Sequence, residues 1–117
     1  MRSFASAMKW KRVASADELK PGETMRVFVA GIDIALCNLA GSFYAVDNVC
    51  THAYACLTDG YFEADTLECP LHGGRFNVTT GEAGGGIVSE DLRRFAVRVA
   101  GGEVFVSVGD GGGSESP

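Results

Sequence analysis

No apolar run in this chain of 117 residues approaches the ~18–20 residues of a membrane-spanning helix, so a membrane is not an expected partner. Basic residues are outnumbered, with 10 Lys and Arg against 15 Asp and Glu and a net charge of −5. An acidic chain without a basic stripe makes nucleic acid an unexpected partner as well. The first residues, Met1-Arg2-Ser3-Phe4-Ala5-Ser6-Ala7-Met8-Lys9, lack the apolar stretch of a secretory leader. The expected compartment is therefore the cytoplasm, where disulfides are rare. Helix signals are nearly missing. Ser15-Ala16-Asp17-Glu18 has the Ser-x-x-Glu form of a capping box, and Pro21-Gly22 stops the chain a turn later. Histidine is scarce, two residues in all, and is the more informative for it. The length allows one domain with a modest core, and is too short for a catalytic domain plus a cofactor domain.

What is present is glycine, 16 residues, roughly twice the usual ~7%. That abundance implies many tight turns and hence β-structure. Met25, Val27 and Val29 alternate with Arg26 and Phe28, and after Ala30-Gly31 the residues Ile32, Ile34 and Leu36 alternate with Asp33, Ala35 and Cys37. This period of two predicts a hairpin. Ala40-Gly41-Ser42 turns into a further strand, Phe43-Tyr44-Ala45-Val46. Phe95, Val97 and Val99 should meet Val104, Val106 and Val108 across Ala100-Gly101-Gly102 in a second hairpin. Between them, Asp47 to Gly86 is rich in Gly, Cys, His and acids and shows little alternation. The expected class is all-β, a small antiparallel domain over residues 1–108 carrying one irregular insertion. The Gly/Ser-rich tail, 109–117, has nothing to bury and is expected to be mobile.

The chemistry concentrates in that insertion. Cys50-Thr51-His52 and Cys69-Pro70-Leu71-His72 form the pattern C-x-H-x16-C-x2-H, which holds every histidine of the chain. Isolated cysteines and histidines are ordinarily packing or surface groups. Packing alone explains neither why each histidine lies within three residues of a cysteine nor why Gly73-Gly74 follows directly, where backbone approaches something closely. A disulfide framework is opposed by the compartment and leaves the histidines unexplained. A Cys2His2 zinc module is a stronger rival, since thiolate and imidazole suit zinc, but its usual order puts the two cysteines together. Boxes that each mix one Cys with one His suit two metals taking like pairs, as in a 2Fe–2S centre with mixed ligands.

On these residues the chain resembles the Rieske iron–sulfur proteins. The two boxes, with Leu57-Thr58-Asp59-Gly60-Tyr61 between them and Gly73-Gly74-Arg75-Phe76-Asn77-Val78 after them, look most like the soluble Rieske ferredoxins of bacterial aromatic-ring dioxygenase systems. The likeness runs from about Trp10 to Val108. It implies an all-β Rieske fold: a base domain of antiparallel strands and a small cluster-binding subdomain at about 46–86. It also implies one 2Fe–2S cluster of Rieske type, with Cys50 and Cys69 on the inner iron and His52 and His72 on the outer iron near the surface.

The resemblance also indicates which branch of the family applies. High-potential members carry an extra Cys in each box, joined by a disulfide; here Leu71 stands in the second box. Cys56 lies one position off the family's spacing and Cys37 belongs to a strand, so both are expected as free thiols packed as small apolar groups. High-potential members also place Ser and Tyr hydroxyls where this chain has Gly74 and Phe76. Fewer donors to the sulfurs lower the potential. Histidine ligation makes reduction easier than four-cysteine ligation would, because the oxidised centre starts neutral. Acids oppose that: between Val46 and Ala83 stand Asp47, Asp59, Glu63, Asp65, Glu68 and Glu82 against Arg75 alone. The expected potential is near the low end of the Rieske range of about −150 to +300 mV. These acids are either a solvated face or a steering surface for partners. Tyr54 and Leu71 beside the ligands are expected as packing residues or as the rim where a partner docks. Where such ferredoxins have a proline-containing loop after the second box, this chain has Ala83-Gly84-Gly85-Gly86, expected to be more mobile.

The implied role is non-catalytic electron transfer. An NAD(P)H-dependent flavoprotein reductase would load the cluster, and the reduced ferredoxin would dock on a terminal Rieske oxygenase. The chain is not itself that oxygenase, which needs a further iron held by two His and a carboxylate; both histidines are already committed. Two other classes remain open on sequence: a structural zinc-binding module, and a Rieske-type accessory subunit of a larger reductase complex.

Overall fold

The computed structural model describes residues 9–51, 54–71, 73–85 and 90–109. Among them are ten strands: β1 (Lys11–Ser15), β2 (Thr24–Val29), β3 (Ile32–Leu39), β4 (Ser42–Asp47), β5 (Tyr61–Glu63), β6 (Thr66–Glu68), β7 (Arg75–Asn77), β8 (Ala83–Gly85), β9 (Arg94–Ala100) and β10 (Glu103–Ser107). They form two antiparallel sheets, one ordered β1-β10-β9-β4-β3-β2 and one ordered β5-β6-β7-β8. The larger sheet is two three-stranded halves joined at a narrow seam, since β4 and β9 pair only at Ala45–Phe95 and Val46–Arg94.

The local signals explain the two long hairpins. β2 and β3 pair in unbroken register from Thr24–Cys37 to Val29–Ile32. The connecting Ala30-Gly31 has φ of 52° and 79°, the left-handed pair that matches the twist of the flanking strands. In the second hairpin Val99 faces Val104 and Val97 faces Val106, across Gly101-Gly102. Val108 lies beyond the end of β10 but is buried all the same.

Two hydrophobic clusters fill the molecule, and β3 belongs to both. Ile34 and Leu36 enter the first with Leu19, Val27, Val29, Ala45, Phe95, Val104 and Val106. Ala35 and Cys37, which period-two reasoning puts on the opposite face, pack into the second with Val46, Leu57, Leu67, Phe76, Val78 and Leu92. All four of these β3 residues are fully buried. The strand is thus the wall between the two cores.

Three expectations are corrected. The stretch 47–86 is not an irregular insertion, because it carries the whole of the second sheet. Its strands are three residues long, too short to show a period. The Gly-rich segment after the second box is not a free loop: Ala83–Gly85 is β8, the edge strand paired to β7, while Gly86 lies outside the described residues. The capping-box segment is only a 3-10 turn, Ala16–Glu18, in which the Glu18 carboxylate accepts the Ser15 backbone N–H at 3.0 Å. Strand β1, unannounced by any local pattern, is held by pairing with β10 some ninety residues away, as in Arg12–Phe105. Of the tail, 110–117 lies outside the described residues.

Candidate metal centre

The first box sits at the base of a loop that leaves β4. The 3-10 turn Leu57–Asp59 closes that loop, with Leu57 fully buried in the second core. Within it, Val49 and Cys56 form an isolated antiparallel bridge and the Cys50 N–H donates to the Ala55 carbonyl at 3.0 Å. The second box follows β6, and its loop turns back at once: the Cys69 N–H donates to the Gly74 carbonyl at 2.8 Å. Gly73 takes φ of 69° inside this turn. The two loops are brought side by side at Gly60, where an added Cβ would lie 2.0 Å from the Glu68 carbonyl and 3.0 Å from the Pro70 ring. Only a residue without a side chain allows that approach.

The result is that two cysteines 19 positions apart meet. Cys50 is 5% exposed and Cys69 1%, both within the second core. Burial pushes the Cys69 thiol above its ordinary value. The neighbouring Cys50 thiol adds to the rise, against a Leu71 N–H that donates to Cys69 Sγ at 3.4 Å. Thiolate is the form that ligates a metal, and a bound cation supplies the positive charge that thiolate needs in a buried setting. The donor set therefore fits a metal centre. His52 and His72, the other two expected ligands, lie outside the described residues.

Around the pair, all four cysteines are free thiols. Cys37 is fully buried, and burial pushes its thiol up to about 12. Cys56 is only half-buried, so it does not share Cys37's role as a core residue. Tyr54, 99% exposed, and Leu71, 47% exposed, stand in solvent beside the two boxes and so form a rim, not packing. Phe76, fully buried, belongs to the second core and offers no hydroxyl.

The window count of acids overstated the free charge. Asp47 is paired with Arg93, 46 positions along, which donates from Nη2 to Oδ1 and from its backbone N–H to Oδ2, each at 2.8 Å. This ion pair raises the Arg93 guanidinium above its ordinary value, and Arg93 also lies over the Phe95 ring. Asp65 accepts from Asn77 Nδ2 at 3.1 Å and Thr66 Oγ1 at 3.2 Å. Asp59, Glu63 and Glu82 are exposed.

Sequence reasoning missed two residues that build this site. Gly60 sits in an Asp-Gly pair that reads as an ordinary turn. Asn48, two positions before Cys50, is fully buried and fully hydrogen-bonded; a polar residue between Val46 and Val49 was its only signal.

The Rieske [2Fe-2S] domain profile matches residues 9–106, and the chain belongs to that family. Its cofactor is one Rieske-type 2Fe–2S cluster, which sets the zinc-module reading aside. Within the family, the ferredoxin component of the naphthalene 1,2-dioxygenase system of Pseudomonas aeruginosa is 37% identical over 100 residues, covering 86% of this chain and 96% of that protein. The solved ferredoxin of carbazole 1,9a-dioxygenase from Nocardioides aromaticivorans is 39% identical, with a TM-score of 0.81 over 84% of this chain and 96% of that one. A chain from the complex of reduced oxygenase and oxidised ferredoxin in carbazole 1,9a-dioxygenase is 36% identical, with a TM-score of 0.84 over 92% of this chain and 97% of that one.

Among the described residues no helix is long and apolar enough to cross a membrane.

Proposed function

We propose that Cys50 and Cys69 hold one iron of the cluster and His52 and His72 the other, and that the protein is a low-potential ferredoxin. It takes single electrons from an NAD(P)H-dependent flavoprotein reductase in the cytoplasm and passes them to a terminal oxygenase that hydroxylates an aromatic ring. The observation that carries this reading is the contact of Cys50 with Cys69 under an exposed rim, in a chain whose match spans 96% of a ferredoxin component of a dioxygenase system. The cluster, when bound, supplies a one-electron couple.

The chain's own residues hold that couple in place and set its level. Burial of both cysteines keeps water from the inner side of the site. The Leu71 N–H at 3.4 Å stabilises charge on Cys69 Sγ, whereas Gly74 and Phe76 add no hydroxyl donor; fewer donors leave the reduced state less favoured. The exposed carboxylates of Asp59, Glu63 and Glu82 lower the potential further and attract a partner of opposite charge. Tyr54 and Leu71 offer a partner apolar contact close to the proposed ligands, which keeps the electron's path short.

Visible and low-temperature EPR spectra of oxidised and dithionite-reduced protein, with iron and sulfide analysis, test the ligand assignment. Two irons and two sulfides per chain and a reduced signal with average g well below the free-electron value are expected. Cys50→Ser or His72→Ala should abolish that signal. A colourless protein after anaerobic reconstitution would sink the reading. Turnover of an aromatic-ring oxygenase that requires this chain and a flavoprotein reductase together separates a free carrier from an accessory subunit.

A further inference from the structure

Asn48 is 0% exposed, and each of its four polar groups has a partner. Its backbone N–H donates to the Asp33 carbonyl at 3.0 Å and its carbonyl accepts the Leu57 N–H at 2.7 Å. Its side chain donates from Nδ2 to Asp33 Oδ1 at 3.0 Å and accepts the Thr58 N–H at Oδ1 at 2.8 Å. Asn48 thus ties the start of the first ligand loop to its end at Leu57 and Thr58, and ties both to β3 of the base. The strand side of the tie is itself braced. Arg26 on β2 donates to Asp33 from Nε at 3.0 Å and from Nη2 at 2.8 Å. Burial pushes the Asp33 carboxyl up, but the hydrogen bonds from Arg26 and Asn48 and the Arg26 charge outweigh it and leave it below its ordinary value.

We propose that Asn48 is the positioning residue of the first ligand loop, clamping both ends of it on the Asp33 carboxylate and so fixing where Cys50 stands. The inference rests on the reading of Cys50 as an iron ligand. The chemistry at this position demands a carboxamide: the Thr58 N–H requires an acceptor, while the Asp33 carboxylate requires a donor on the same short side chain. Aspartate presents two acceptors and puts like charge against Asp33. Alanine leaves a buried N–H without a partner. Leucine has the volume and neither group. Cys50 is only two residues from the clamp and its N–H is already committed to Ala55, so a shift at Asn48 reaches the sulfur through a short, braced ribbon.

The test uses the full-length holoprotein with Asn48→Asp and, as a second variant that brings no charge, Asn48→Ala. Asn38→Asp is the control. Asn38 is also buried, at 4% exposed, and bridges the Leu19 carbonyl and the Gly41 N–H at 2.8 Å each, but within the base. Expected for Asn48→Asp are shifted or broadened reduced-state EPR lines and about tenfold faster bleaching of the visible bands under chelator, from loss of one buried partner. Asn48→Ala, which loses the same contacts without added charge, should shift the lines too, with bleaching about threefold faster than wild type. Asn38→Asp should lower the thermal midpoint while leaving the EPR lines in place. Wild-type lines and bleaching in Asn48→Asp, wild-type lines and bleaching in Asn48→Ala, or the same line shift in Asn38→Asp would each overturn the inference. If Asn48→Asp does not fold, Asn48→Ala alone carries the test: about threefold faster bleaching with shifted lines supports it, and wild-type behaviour overturns it. A wild-type protein without a cluster defeats the ligand reading as well, whereas unchanged variants of a cluster-bearing protein defeat the Asn48 inference alone.

Discussion

The base and the second sheet are built on different principles. Base strands are five to eight residues long and most pair with a neighbour in sequence through tight turns. Their core is aliphatic apart from Phe95 and a half-buried Phe43, and it closes without either ligand box. The strands of the second sheet are three residues each. They are held by a core that includes Cys50 and Cys69 and by single pins such as Thr51 Oγ1 to the Glu90 carbonyl at 2.9 Å and Ala83 N–H to Asp91 Oδ1 at 2.9 Å. The base stores its stability in its own side chains, while the second sheet, on the proposed assignment of Cys50 and Cys69 as ligands, depends on the cluster.

The largest effect expected from that contrast follows removal of the cluster. Hydrogen exchange of the cluster-free protein should show residues 54–71 and 73–85 losing protection by at least about tenfold, with β2, β3, β9 and β10 unchanged. Uniform loss over both sheets would break the comparison. Next, Phe76→Ala should cost about 3–5 kcal/mol and Leu36→Ala about 2–5 kcal/mol. The two differ in readout: Phe76→Ala accelerates cluster loss, whereas Leu36→Ala lowers the thermal midpoint of the base.

Alkaline pH sharpens the boundary between the cores, because Cys37 sits on the wall strand. Its folded thiol is pushed up to about 12 from an ordinary 9.0. The unfolded chain therefore binds fewer protons over that interval. The stabilisation is complete below about 9 and falls as pH rises, by about 1.4 kcal/mol per unit. Urea unfolding of wild type against Cys37→Ala across this range isolates the slope; equal slopes would count against it. Gly60→Ala should cost roughly 1–3 kcal/mol from overpacking against the Glu68 carbonyl, read as faster cluster loss with the base midpoint unmoved. Smallest is Ala40→Gly in the turn between β3 and β4. Ala40 has φ of 53°, and relief of that left-handed strain should stabilise the base by up to about 1 kcal/mol, measurable as a raised midpoint.

The long hairpins were legible because period and turn chemistry are local: Met25 to Leu36 alternates, and Ala30-Gly31 marks the reversal. The candidate ligands were legible for a different reason, the rarity of histidine and its placement beside cysteine. Distance along the chain hid the rest. Asp47 was counted as a free acid because Arg93 lies far outside any local window. β1 was hidden because Lys11–Ser15 has no pattern until β10 pairs with it. β5 to β8 are too short to carry a period, so they become strands only through one another. Cys37 was read correctly as a packed thiol, although not as part of a second core, since alternation describes two faces and does not say what covers each.

Residue types and spacing alone therefore settled the all-β class, the two long hairpins and the two boxes, all of them consequences of interactions within a few residues. Folding in three dimensions settled which groups meet: Cys50 with Cys69, Asn48 with Asp33 and Thr58, Asp47 with Arg93, Gly60 with the Glu68 carbonyl. Each of those contacts joins residues at least eight positions apart. Their energies depend on burial and direction, which a linear pattern does not contain.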